Sequence, residues 1–108
     1  MLHLDGNTAA AIQLALEDFL PRGAPLPAGI PPDEACLHQQ QSYDVMSAPG
    51  PEGVVLVQFT PNDAVCPPPP GLSVEARSGK PLLDVTTYAV DVRTMRILSV
   101  GVHVRPRS

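Results

Sequence analysis

The stretch from Asp84 to Val104, DVTTYAVDVRTMRILSVGVHV, decides how this chain folds. Two alternating apolar runs flank the short polar break Arg93-Thr94-Met95-Arg96. In the first run Thr86, Tyr88, Val90 and Val92 share one face, and in the second Leu98, Val100, Val102 and Val104 do. Alternation with a period of two on both sides of a turn predicts a half-buried β-hairpin. Asp91 is placed to cap its turn, with Thr94 as the local hydrogen-bonding partner.

Upstream lies a second hairpin. Tyr43 and Val45 lead into Ala48-Pro49-Gly50-Pro51-Glu52-Gly53, a turn by composition, and Val54 to Phe59 form the return strand. Centring the turn on Pro51 sets Tyr43 opposite Phe59 and Val45 opposite Val57, both favourable same-face pairs. Carried outward, that register sets Cys36 opposite Cys66, although the cysteines played no part in choosing it. The two are therefore expected to form a disulfide. Closing that loop stabilises by roughly 3–4 kcal/mol on the chain-entropy estimate. A disulfide implies an oxidising compartment, meaning periplasm, envelope or exterior; two free thiols would imply the cytoplasm. The opening MLHLDGN has neither the basic region nor the apolar core of a secretion signal, so the envelope reading requires a leader already removed.

The one long helix is expected near the N-terminus. Ile12, Ala15, Leu16 and Phe19 follow the i, i+3, i+4, i+7 spacing of one helical stripe. Ala9, Ala10 and Ala11 raise its propensity, Asn7 or Thr8 can cap it, and Pro21 and Gly23 stop it. Gln13, Glu17 and Asp18 mark its solvent side. From Pro21 to Pro32, five prolines and two glycines leave room only for an extended connection. A second Pro-rich stretch runs from Pro61 to Pro81. Its four consecutive prolines, Pro67 to Pro70, favour a polyproline II spacer, and Leu72, Val74 and Ala76 alternate as a short edge strand would.

The order helix, link, hairpin, link, hairpin defines an α+β domain. We expect a single domain over residues 1–108, with one N-terminal helix packed on a four- to five-stranded antiparallel sheet made of hairpins. Leu16 and Phe19 should be buried against Val90, Val100 and Val102. The opposite sheet face stays wet and open to a partner. Phe19, Tyr43, Phe59 and Tyr88 are the only aromatics, so aliphatic side chains must supply most of the core.

Charge narrows the function. The formal net charge is -4, and all eleven acidic residues lie at or before Asp91. After Asp91 come four arginines and no acid. An acidic body disfavours nucleic acid, whose backbone demands a basic footprint. It suits a basic protein partner, with Asp44, Glu52 and Asp63 on or beside the first hairpin as the contact residues. No apolar run is long enough to span a bilayer. His3, His38 and His103 are dispersed, and with Cys36 and Cys66 they lack metal-site spacing. No phosphate-binding glycine loop follows a strand, and neither cysteine has the base that a nucleophile needs. The expectation is no catalytic residue, no metal and no cofactor.

The run TYAVDVRTMRILSV resembles the terminal hairpin of PepSY-like and small NTF2-fold immunity domains. NTAAAIQLALEDFL is similar to their helix, and SYDVMSAPGPEGVVLVQF to their middle hairpin. Met95 stands where those domains usually have Gly, and Tyr43 where Trp is frequent. QQQSYDV does not fit the protease-binding Q-x-V-x-G of true cystatins, so protease inhibition does not carry over. The resemblance implies a cystatin-like, non-catalytic binding or inhibitory domain, such as a bacterial immunity protein or an envelope accessory module. Two other readings stand beside it: a small enzyme with a pocket between helix and sheet, and a structural component that forms a homodimer through its sheet.

Overall fold

The computed structural model describes residues 3–23, 25–26, 28–30, 32–66 and 84–103. Helix α1 spans Gly6–Phe19, a short helix α2 spans Pro32–Cys36, and a single 3-10 turn covers Gln40–Ser42. Four strands follow: β1 Tyr43–Pro49, β2 Val54–Pro61, β3 Val85–Asp91 and β4 Arg96–His103. They form one sheet in the order β1-β2-β3-β4, each antiparallel to the next. One main helix on a four-stranded antiparallel sheet is the expected α+β arrangement, and it is compatible with a cystatin-like fold. The alternation at Leu72, Val74 and Ala76 and the proline run Pro67 to Pro70 fall outside the described residues.

Helix α1 begins two to three residues earlier than the capping expectation. Asp5, rather than Asn7 or Thr8, is the N-cap, and its carboxylate accepts from the Thr8 backbone N–H at 2.7 Å. Asp satisfies an otherwise orphaned amide there. Buried Ala11, Ala15 and Phe19 form the stripe at i, i+4, i+8, while Ile12, Leu14 and Leu16 are only partly buried beside it. The small alanines let the helix approach the sheet closely, and Phe19 then fills the end of the interface. Phe19 stacks on Phe59 with centroids 4.9 Å apart and meets Tyr43 edge-on at 5.0 Å. Tyr88 meets Phe59 edge-on at 5.7 Å. Four aromatics thus share one cluster, in the geometries aromatic pairs prefer.

The first hairpin pairs in a different register from the one expected. Tyr43 lies opposite Pro61 and Val45 opposite Phe59, a slip of two residues. The reason is the turn. Glu52 and Gly53 have φ of 45° and 78°, and the Val54 amide donates to the Pro51 carbonyl at 3.0 Å. Two central residues with positive φ make the mirror-image turn that suits the twist of hairpin strands, and Gly53 is what admits it. A slip of two leaves every side chain on its expected face. Tyr43, Val57 and Phe59 are accordingly buried on the helix side.

In the second hairpin, Thr86, Tyr88 and Val90 are buried as expected. Asp91 caps the turn chiefly through the Arg93 amide at 2.9 Å. Met95 has a φ of 54°, the left-handed region that a glycine would occupy without strain. The register shifts between Ala89 and Val90, so Val90 faces Ile97 while Ala89 faces Ser99.

The expected core under the helix is corrected as well: Val100 and Val102 are not core residues, and Leu16 is only partly buried. Facing residues form three rows on the helix side: Val45-Phe59-Thr86-Val102, Ser47-Val57-Tyr88-Val100 and Pro49-Val55-Val90-Ile97. In each row the helix covers the two middle strands. Beyond that width, Leu98, Val100 and Val102 remain 56%, 49% and 46% exposed.

Candidate functional site

Strand β4 builds the most distinctive surface of the molecule. Among the described residues it is an edge strand, with one side of its backbone paired to β3 and no strand on the other. Between Ile97 and Val102 its sequence is ILSVGV, with no charge and no proline. Natural edge strands are usually blunted by such residues. The opposite edge, β1, carries both, at Asp44 and Pro49. The exposed Val102 and Val100 face buried Thr86 and Tyr88 in the ladder, and exposed Leu98 falls at the register shift. The apolar floor under the helix therefore continues outward into solvent. On the other face Gly101 leaves the strand bare, and a Cβ placed there would meet nothing within 4 Å.

The acidic residues singled out in the sequence are all exposed, but they do not form one patch. Asp44 lies at the start of β1, and its carboxylate accepts from the Asn62 side-chain amide at 3.1 Å. Asp63 follows Asn62, so these two acids share one end of the hairpin. Glu52 sits in the turn at the other end. Arg93 and Arg96 bracket the second turn, both exposed; Arg93 reaches Asp91 at 3.5 Å. The Arg93 amide is the main cause that holds the Asp91 carboxyl below the usual carboxylate range. Acid lies along the first hairpin at Asp44, Asp63 and Glu52, while the arginines at the start of β4 have an acid beside them, Asp91, which faces Arg96 in the ladder.

Cys36 and Cys66 form a disulfide, with Cα atoms 6.0 Å apart. The hairpin ladder does not place them, because neither lies on a strand. Cys36 closes α2, and Cys66 lies in the turn that follows β2. The Asn62 amide donates to the Ser42 carbonyl at 2.9 Å and holds the two chain segments side by side. Ser42 is fully buried between them; its hydroxyl donates to the Cys36 carbonyl at 2.7 Å and lies 3.1 Å from the Cys66 sulfur. Neither α2 nor the 3-10 turn figured in the sequence reading. Pro32 followed by Asp33 and Glu34 was the available signal, since proline and acids favour a first helical turn.

Two buried hydroxyls anchor the core. Tyr43 donates to the Leu37 carbonyl at 2.7 Å, and Tyr88 donates to the Asp18 carboxylate at 2.9 Å. Burial raises both phenols well above their ordinary range, and the Asp18 carboxylate adds to the effect at Tyr88. Asp18, expected only to mark the solvent side of α1, thus ties the helix to β3. An open cleft of about 430 Å³ lies between the start of α1 and the first hairpin turn. Its one ionisable side chain is Asp5, already engaged in capping and lowered in pKa chiefly by the Thr8 amide.

His3 precedes α1, His38 follows α2 and His103 ends β4. His38 lies 3.8 Å from Glu34, one helical turn away. Among the described residues no three His, Cys, Asp or Glu side chains converge on a metal-sized site. Among the same residues no helix is long and apolar enough to cross a membrane. No family model, no curated protein and no solved structure matches this chain.

Proposed function

We propose that this chain is a non-catalytic protein-binding domain, cystatin-like in type, acting as an immunity protein or as an inhibitory or accessory module of the envelope. One observation carries the reading. An edge strand with neither charge nor proline from Ile97 to Val102 presents Leu98, Val100 and Val102 to solvent, beyond the apolar floor that the helix covers. Exposed apolar strips on unprotected edges mark protein interaction sites. A partner strand can add main-chain hydrogen bonds there and side-chain contacts on alternate residues. The helix–sheet interface itself is filled by Phe19, Phe59 and Tyr88, which supports binding at the surface rather than chemistry inside. The exposed acids of the first hairpin extend the reading. A partner that reached across the sheet would set basic groups against Asp44 and Asp63, with Glu52 apart from them.

The test compares partner capture by three forms of the protein. The native chain and Met46→Lys, a control on the other edge, should retain the same binding protein, and Val100→Lys should lose it. Retention by Val100→Lys would refute the assignment to β4. Turnover of any substrate, abolished by one polar substitution, would replace the binding reading with an enzyme.

A further inference from the structure

The sheet presents a second surface, apart from the β4 edge. Among the described residues only α1 packs broadly on the sheet, and it does so from one side. On the other side facing residues form two central rows, Met46-Gln58-Thr87-Gly101 and Ala48-Leu56-Ala89-Ser99. We propose that this face packs against the same face of a second copy, about a two-fold axis that runs along the strands between β2 and β3.

The face is uncharged where a solvent-facing one would not be. Neither row carries a charged side chain. At ordinary surface composition, roughly a quarter to a third charged, about two of those positions would. Met46 is 62% exposed, the most open of the large apolar side chains described. Charge stands only at the ends of the face. Asp44 lies two residues before Met46, and at the turn end Asp91 faces Arg96 in the ladder as a matched pair. Strands ~4.8 Å apart and residues ~3.4 Å apart give a face of about 19 by 24 Å. Two such faces remove on the order of 1,000 Å² from water, the lower end of what a specific interface needs. The contact is therefore reversible, and it leaves both β4 edges open.

The occupant follows from how the rows match themselves. About that axis β1 of one copy lies over β4 of the other, and β2 lies over β3, so each row meets its own reverse. Sheets stacked in this way keep their strands aligned within about 30°. Met46 comes over Gly101, which has no side chain and around which even a Cβ would meet nothing within 4 Å. Leu56 comes over the small Ala89. Nearest the axis, the Gln58 side-chain amide donates to Thr87 Oγ1 of its own copy at 3.2 Å. That leaves Gln58 Oε1 to accept from the Thr87 hydroxyl of the other copy. At the corners Asp44 comes over His103. One Asp44 oxygen takes the Asn62 amide at 3.1 Å, and the other can accept from the imidazole N–H. Large thus meets small and acceptor meets donor, each twice, as an isologous interface requires. A surface that complements its own reverse needs no second sequence to match it.

The experiment uses the full-length oxidised protein. Sedimentation equilibrium between about 1 μM and 1 mM should show a monomer in exchange with a dimer. Met46→Lys and Gly101→Lys each set an unpaired charge in the contact, so each should weaken the dimer by on the order of tenfold or more while circular dichroism stays native. Val100→Lys, on the helix side of the sheet, should leave the dimer unchanged. Under mild oxidation, a mixture of Met46→Cys and Gly101→Cys chains should give a covalent dimer, and neither variant alone should. Cross-linking of Met46→Cys chains to one another would overturn this pairing. A dimer that Val100→Lys disperses and Met46→Lys does not would overturn it in favour of pairing at the β4 edge. A monomer at every concentration would overturn it as well. Shielding of the Met46 and Leu56 methyl groups from a soluble paramagnetic agent would then assign the face to a segment of the same chain. Loss of partner capture by Met46→Lys would assign it to a different protein. Partner capture compared between the native chain and Val100→Lys still decides the β4 reading by itself.

Discussion

Removing the Cys36–Cys66 bridge should destabilise the domain by a calculable amount. The bridge spans a sequence separation of 30. On the chain-entropy model a loop of that length contributes about 3.5 kcal/mol by restricting the unfolded chain. For a domain of this size that shifts the melting temperature by roughly 15–25 °C. It is also a large share of the ~5–15 kcal/mol that holds a typical domain folded. The double variant Cys36→Ala/Cys66→Ala adds little to the native-state cost at Cys36, which is only partly buried, and leaves a small void at buried Cys66. Urea unfolding followed by circular dichroism should therefore give a clearly lower midpoint for the variant and for the reduced native sequence. The slope should rise slightly, because the uncrosslinked unfolded chain exposes more surface. Identical midpoints for oxidised and reduced protein would refute the reasoning. So would two thiols titrating in freshly isolated, unreduced, folded protein.

Three further outcomes are expected. Phe19→Ala should cost ~3–5 kcal/mol in urea unfolding, as large-to-small changes in a core do, because Phe19 contacts both Tyr43 and Phe59; an unchanged midpoint would show that α1 does not dock there. Both tyrosines have folded pKa values raised above the ordinary value, so stability is intact below about pH 10 and falls as pH rises beyond it. Tyrosinate absorbance should then appear together with unfolding, and ionisation in the folded protein near pH 10 would contradict their burial. At Met95, φ of 54° penalises a β-branched residue most, so Met95→Val should lower the melting temperature. Met95→Gly removes ~1–2 kcal/mol of backbone cost but forfeits side-chain packing and flexibility terms of similar size, so its melting temperature should stay within a few degrees of native.

The parts of the fold legible in sequence were those with regular periodicity. Thr86, Tyr88 and Val90 announced β3, and the spacing through Phe19 announced α1, because both patterns repeat over several residues. Face was legible where exact pairing was not: the first hairpin slipped by two, and a period of two conceals such a slip. The register that sets Cys36 opposite Cys66 is not the one the hairpin adopts, although the two do form a bridge. The true cause is α2 and the turn after β2, short local structures with no period to detect. Exposure of Leu98, Val100 and Val102 was hidden for a different reason. Alternation shows that a strand has an apolar face, but helix width and strand order decide which strands get covered. The acids named from charge alone were exposed as expected, yet only the three-dimensional turn separates Glu52 from Asp44 and Asp63.

The covalent ring has a mechanical consequence. Cys36 and Cys66 enclose the 3-10 turn, β1 and β2, and leave α1, α2, β3 and β4 outside. Tension applied at the two chain ends passes across the sulfur bridge, and the residues between the cysteines carry none of it. A separation of 30 residues corresponds to about 100 Å of extended chain. That length stays withheld for as long as the bridge is oxidised, and reduction releases it. Under load, the oxidised domain extends only through the chain on either side of the ring, α1, α2 and the second hairpin among it, while the first hairpin inside the ring bears none of the tension.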